Sequence, residues 1–113
     1  MTVIWHNPRC SKSRQTLQLL TDKGVEPTIR FYLEDSPDEA TLRSTAASLG
    51  VTAVEMMRLK EKLFKELGLS KTDDDDTLFA AMAKNPSLIE RPIVINGAKA
   101  AIGRPPENVL TVL

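Results

Sequence analysis

Residues 3–33 read VIWHNPRCSKSRQTLQLLTDKGVEPTIRFYL, and the succession of patterns within them decides the fold. Val3, Ile4 and Trp5 form a short β-prone run that His6-Asn7-Pro8 ends. From Ser11 the pattern turns helical: Leu17 and Leu20 fall on one face with Leu19 beside them, while Arg14, Gln18 and Asp22 face water. Gly24 is placed to stop this helix. Residues 28–33, TIRFYL, read as a second strand, β-branched and aromatic. Strand, helix and strand make a βαβ unit, whose strands should be parallel with a right-handed crossover.

The middle of the chain reads as helical. Ser36-Pro37 followed by Asp38 and Glu39 is a helix start, and Leu42, Ala46 and Leu49 repeat at helical spacing until Gly50. Val54, Met57, Leu63 and Leu67 continue a broken apolar stripe up to Gly68. Residues 73–76 are four consecutive aspartates, expected to cap and charge the first turn of a helix carrying Leu78, Ala81 and Met82. Asn85-Pro86 breaks it. Pro92, Ile93, Val94 and Ile95 then read as a strand, Asn96-Gly97 as a hairpin turn and residues 99–102 as the return strand. A last helix follows Gly103-Arg104-Pro105-Pro106 and carries Val109, Leu110 and Val112. The order βα, β, helical insert, ββα predicts one small α/β domain over residues 1–113, a mixed sheet with helices packed on it.

Composition narrows the function. With 113 residues, 15 basic and 15 acidic side chains cancel, so no overall field gathers nucleic acid or a membrane surface, and any anion site must be local. No apolar run has signal-peptide or membrane-spanning length. One Cys and one His exclude a disulfide framework and a convincing metal site. A cytoplasmic protein with a free thiol is the expectation.

That thiol, Cys10, falls between the first strand and the first turn of the first helix. Unpaired backbone N–H groups at a helix start favour a thiolate, and such cysteines have pKa values of about 3.5–7.5 instead of about 8.5. Arg9 and Lys12 flank it, Ser13 can turn its hydroxyl to the sulfur across one turn, and His6 can reach it across the loop. A lone Cys is more often inert core, but Asn-Pro-Arg before it and Ser-Lys-Ser after it are not core residues. A dithiol motif would need a second Cys at position 13, which is Ser. A phosphatase-type loop would need Arg at position 16, which is Thr. With no second thiol in the chain, whatever Cys10 forms must be resolved from outside. Arg58, Arg91 and Arg104 are candidates to hold an oxyanion bidentately if they converge, although each alone is more often a surface residue.

HNPRCSKSR at 6–14, ERPIV at 90–94 and IGRPPE at 102–107 together resemble the glutaredoxin-dependent arsenate reductases, over essentially the whole chain and with matching lengths between blocks. The resemblance implies a thioredoxin-like fold with a helical insertion over about residues 36–88. It implies Cys10 as nucleophile, His6 as the histidine that favours the thiolate with Ser13 nearby, Arg58, Arg91 and Arg104 as oxyanion ligands, and Pro92 as a cis-proline facing the thiol. It also implies that electrons arrive from glutathione and glutaredoxin, with no metal or organic cofactor bound. Ser11-Lys12 stands where the family commonly has Gly-Thr, and Ser13 removes the second cysteine that related redox-sensing regulators use. The expected function is therefore cytoplasmic reduction of arsenate to arsenite. The rivals are a glutathione-linked reductase of another substrate and a non-catalytic, redox-sensitive adaptor of the same fold.

Overall fold

The three residues before His6 form the inner part of β1 (Thr2–Trp5), the strand on which the sheet is built. The structure, a computed structural model, describes residues 1–113. They fall into two compact units, Met1–Asp35 with Arg91–Leu113, and Ser36–Glu90. In the first unit β1 is followed by α1 (Ser11–Asp22), β2 (Thr28–Arg30), β3 (Ile93–Asn96) and β4 (Lys99–Ile102), and a 3-10 helix at Pro106–Val112 ends the chain. The sheet order is β2-β1-β3-β4. β1 runs parallel to β2 and antiparallel to β3, and β3 runs antiparallel to β4.

Register explains the burial. Ile4 sits opposite Val94 and Trp5 opposite Ile93, and alternate residues of a strand point to opposite faces. All four are buried, so both faces at the centre of the sheet are covered. On one face Ile4 and Val94 cluster with Leu20, Val109 and Val112, and Leu17, Leu19, Val25 and Ala101 pack around them. Each such side chain, fully buried, stabilises the fold by about 1.5–3 kcal/mol. The buried stripe of α1 is Ser13, Thr16 and Leu20, more polar than the leucines alone suggest. At Gly24 φ is +77°, a left-handed conformation that ends the helix without a side-chain penalty.

Three expectations in this unit need correcting. The second strand stops at Arg30 instead of reaching Leu33, because the Phe31 carbonyl accepts the N–H groups of Glu34 (3.0 Å) and Asp35 (2.8 Å) and turns the chain. Asn96 is the last strand residue, paired with Lys99, so the hairpin loop is Gly97-Ala98, with Gly97 at φ +63°. The final helix is 3-10, and its three-residue repeat aligns the buried Val109 and Val112 while leaving Leu110 exposed.

In the second unit, Asp38 caps α2 (Glu39–Leu49) by accepting the Thr41 N–H at 2.8 Å, and Gly50 closes it with φ +71°. α3 is only Lys62–Glu66, and its buried residue is Phe64, where the apolar stripe had pointed to Leu63 and Leu67. The aspartate run does start a helix: Asp74 caps α4 (Asp75–Lys84), with Asp75 and Asp76 in its first turn. Arg43 of α2 pairs with Asp76 and lies 4.9 Å from the centre of the Phe79 ring, joining the two helices. No helix is long and apolar enough to cross a membrane.

Candidate active site

The loop that leaves β1 is held by its own backbone and by α1. The His6 N–H still bonds the Arg30 carbonyl (2.9 Å), which carries the β1–β2 pairing one residue further. Asn7 then makes a turn: its side-chain oxygen accepts the Arg9 N–H (3.0 Å) and its carbonyl accepts the Cys10 N–H (3.0 Å). Arg14 donates to the Pro8 carbonyl from the first turn of α1 (2.9 Å). Cys10 itself occupies the N-cap, extended at φ −94° and ψ 123°, and its carbonyl accepts the first helical bond from Arg14.

Cys10 is partly exposed. Burial by itself pushes its thiol pKa up, but the Ser13 N–H, the charge on Arg91, the Lys12 N–H and the charge on Arg104 outweigh it and bring the pKa below its ordinary value. The two N–H groups favour the sulfur without closing a full capping hydrogen bond. The flanking charges of Arg9 and Lys12 are not the ones that act. The cations that do come from far along the chain.

Their place is set by the β3–β4 hairpin. Ile93 pairs with Ile102, which brings Arg91-Pro92 beside Gly103-Arg104. The Gly103 N–H donates to the Pro92 carbonyl (2.9 Å), and Arg104 Nε donates to the Arg91 carbonyl (2.8 Å). From there Arg104 Nη2 lies 3.6 Å from Cys10 Sγ. The Arg91–Pro92 and Arg104–Pro105 peptide bonds are both cis.

His6 and Ser13 meet each other, and neither side chain makes a hydrogen bond to the sulfur. His6 Nδ1 lies 2.6 Å from Ser13 Oγ, which also accepts the Asn7 N–H at 3.0 Å. Burial, with a smaller contribution from the charge on Arg14, lowers the His6 pKa below 6.5 and so favours the neutral ring. A neutral imidazole gives the thiolate no charge partner. The pair instead ties the loop to the helix, and it is the backbone N–H of Ser13 that acts on the sulfur.

Arg58 belongs to the Ser36–Glu90 unit, where its guanidinium pairs with Glu61 at 3.1 Å and its N–H bonds the Leu88 carbonyl. Two residues that sequence reasoning passed over sit against the site. Gly103 has no room for a side chain: a Cβ there would lie 2.6 Å from Thr16 Oγ1 and 2.8 Å from Pro92 Cγ. Thr16 is fully buried, its hydroxyl donating to the Lys12 carbonyl at 2.8 Å. A glycine closing a strand signals a close approach, which is the clue Gly103 offered. Nowhere do three or more His, Cys, Asp or Glu side chains group so as to hold a metal ion.

Residues 5–112 match the model of the ArsC family. The chain is 54% identical over 112 residues to Uncharacterized protein YfgD of Escherichia coli K12, covering 97% of this chain and 94% of the relative. It is 51% identical over 113 residues to a protein of Haemophilus influenzae named arsenate reductase, covering 98% and 97%. The solved structure of an arsenate reductase from Vibrio cholerae superposes with a TM-score of 0.96 at 52% identity, over 99% of this chain and 97% of that one. The thioredoxin-like fold is shared with that structure.

Proposed function

The chain belongs to the ArsC family, and from that premise we propose that it reduces arsenate to arsenite in the cytoplasm, with Cys10 as nucleophile and with glutathione and glutaredoxin as the source of electrons. The observation that carries this reading is the approach of Arg104 Nη2 to within 3.6 Å of a thiol whose pKa is already lowered. Attack on an oxyanion needs an ionised nucleophile and fixed positive charge in one place, since an anion approaching an unshielded thiolate is repelled. Arg91 and Arg104 supply that charge, and guanidinium groups suit tetrahedral oxygens because their donors form a planar fork.

The Cys10 thiolate forms a sulfur–arsenic bond and one arsenate hydroxyl leaves as water, taking a proton from solvent, with arsenic remaining pentavalent. Glutathione sulfur then bonds to Cys10 sulfur. The sulfur–arsenic bond breaks with its electron pair passing to arsenic, and trivalent arsenite departs. A glutaredoxin thiol takes the glutathionyl group and frees the Cys10 thiolate. During these steps the N–H groups of Ser13 and Lys12 hold the sulfur's negative charge.

Arsenate-dependent NADPH oxidation, coupled through glutathione reductase, glutaredoxin and glutathione, tests the proposal. Saturable turnover is expected in the native protein and none above background in Cys10→Ser. Turnover retained by Cys10→Ser removes the thiol from the mechanism. An inactive native protein with an intact low-pKa thiol removes arsenate as substrate.

A further inference from the structure

Of the buried polar residues of α1, Ser13 is engaged by the loop, while Thr16 has no part in the chemistry described so far. Its side chain is fully enclosed, and its hydroxyl donates to the Lys12 carbonyl at 2.8 Å. A bond from Thr to the carbonyl one turn back is common in helices and by itself signals only local satisfaction. The same helix supplies the comparison: Thr21 donates to the Leu17 carbonyl at 3.1 Å, but from an exposed position. What sets Thr16 apart is the peptide it bonds. The Lys12 carbonyl and the Ser13 N–H belong to one planar peptide unit. The hydroxyl therefore holds one end of the group whose other end acts on Cys10. Burial raises the thiol pKa, and the Ser13 N–H is the largest of the influences that lower it.

Packing fixes that hydroxyl in place. Gly103 passes so close that a Cβ on it would lie 2.6 Å from Thr16 Oγ1, 3.2 Å from Thr16 Cγ2 and 2.8 Å from Pro92 Cγ. The strand end that carries Arg104 and the proline after Arg91 therefore close over this one side chain. Valine in its place would keep the shape and lose the donated proton. Serine would keep the proton and lose a methyl. Hydrogen bonds in series strengthen one another, by about 10–30% per bond. A proton donated to the Lys12 carbonyl thus makes the Ser13 N–H a better partner for a negative sulfur.

We propose that Thr16 is a positioning residue for the Cys10 thiolate, its hydroxyl orienting and polarising the Lys12–Ser13 peptide from the end opposite the sulfur. The role rests on Cys10 as the nucleophile of the functional reading above, but its test needs no arsenate. The Cys10 pKa is followed through the pH dependence of iodoacetamide alkylation, with Tm measured alongside. Thr16→Val should raise that pKa by about 0.3 unit, a roughly twofold smaller thiolate fraction below the midpoint. Thr16→Ser should restore the native value, and Thr21→Val should leave it unchanged. A Thr16→Val profile that matches the native one overturns the proposal. A shift of equal size in Thr16→Ser assigns the effect to packing and overturns it too, as does an equal shift in Thr21→Val. One measurement needs no variant and so survives a substitution that prevents folding. In the native protein the Ser13 amide proton shift, read by NMR, should titrate with the Cys10 midpoint, and an amide that does not follow the thiol overturns the proposal. A protein inactive on arsenate whose Thr16→Val variant shows the shift loses the substrate and keeps the positioning role. An active one without the shift loses only Thr16.

Discussion

The two halves of the site are built in opposite ways. On one side, residues 6–13 are consecutive, and almost every contact among them is local: the Asn7 turn, the Cys10 N-cap and the Ser13 hydroxyl shared by His6 and Asn7. On the other, Arg91 and Arg104 are 13 residues apart and meet only because Ile93 pairs with Ile102. The local half holds the sulfur at a helix start, where backbone dipoles favour a thiolate whatever the side chains are. The hairpin half brings side-chain charge to it. Damage to the first should therefore appear in the position and stability of the loop, and damage to the second in anion binding and in the thiol pKa.

The sharpest way to separate the halves is to remove a guanidinium. Arg104→Ala loses the group nearest the sulfur and also the tie to the Arg91 carbonyl. A charge-assisted hydrogen bond is worth about 1.5–3 kcal/mol, so KM for arsenate should rise roughly ten- to hundredfold. The Cys10 pKa, followed by the pH dependence of iodoacetamide alkylation, should move up, because one of the charges that lowers it is gone. Arg91→Ala should move both quantities the same way. An unchanged KM and an unchanged alkylation profile would end the idea that the hairpin supplies the charge.

A smaller perturbation reaches the same half without touching charge. In Gly103→Ala the new Cβ would lie 2.6 Å from Thr16 Oγ1 and 2.8 Å from Pro92 Cγ, so the hairpin or α1 must shift. Overpacking of this kind costs about 1–3 kcal/mol, visible as a Tm lower by several degrees. Because Gly103 adjoins Arg104, KM for arsenate should rise too, though less than in Arg104→Ala. A lowered Tm with an unaltered KM would mean that Gly103 serves packing and not the placement of Arg104.

The local half is probed by Ser13→Ala, which leaves His6 Nδ1 and the Asn7 N–H without the hydroxyl they share. Unpairing buried polar groups costs about 1–3 kcal/mol, and urea unfolding should show a loss within that range. The Cys10 pKa should stay nearly where it is, since the Ser13 N–H that acts on it belongs to the backbone. A large upward move would restore the expectation that the hydroxyl acts on the sulfur.

The same contrast governs how much the sequence reveals. β1, α1 and the cap at Cys10 are readable because their signals are contiguous: a β-prone run, a Pro-ended loop, then leucines at helical spacing. Arg91 and Arg104 could be named but not joined, since convergence depends on a strand register that composition does not encode. Thr16 was missed because a polar residue on a helix gives no core signal, yet it is fully buried. The 28–33 segment was overread for the converse reason. Phe31 and Leu33 have strand propensity, but hydrogen bonds to the Phe31 carbonyl turn the chain before they can pair. Propensity measures fit to a half-buried pleated surface, and here the apolar side chains line a cleft.

The weakest expected effect concerns His6, and it tests whether that ring serves structure or charge. Its pKa in the folded protein is below 6.5, chiefly because it is buried. As pH falls through 6.5 the unfolded chain takes up a proton that the folded chain resists, so stability must decline. The contribution is complete above 6.5 and is lost progressively as pH drops toward the folded value. Urea midpoints measured between pH 7.5 and 5 should fall over the acid part of that range, and His6→Asn should flatten the slope there. A protonated His6 supporting the thiolate would give the opposite sign, with stability rising as pH falls toward 6.5 and no decline below it. The direction of that slope therefore decides whether the histidine holds the loop as a neutral hydrogen-bonding partner of Ser13 or acts as a cation beside the sulfur.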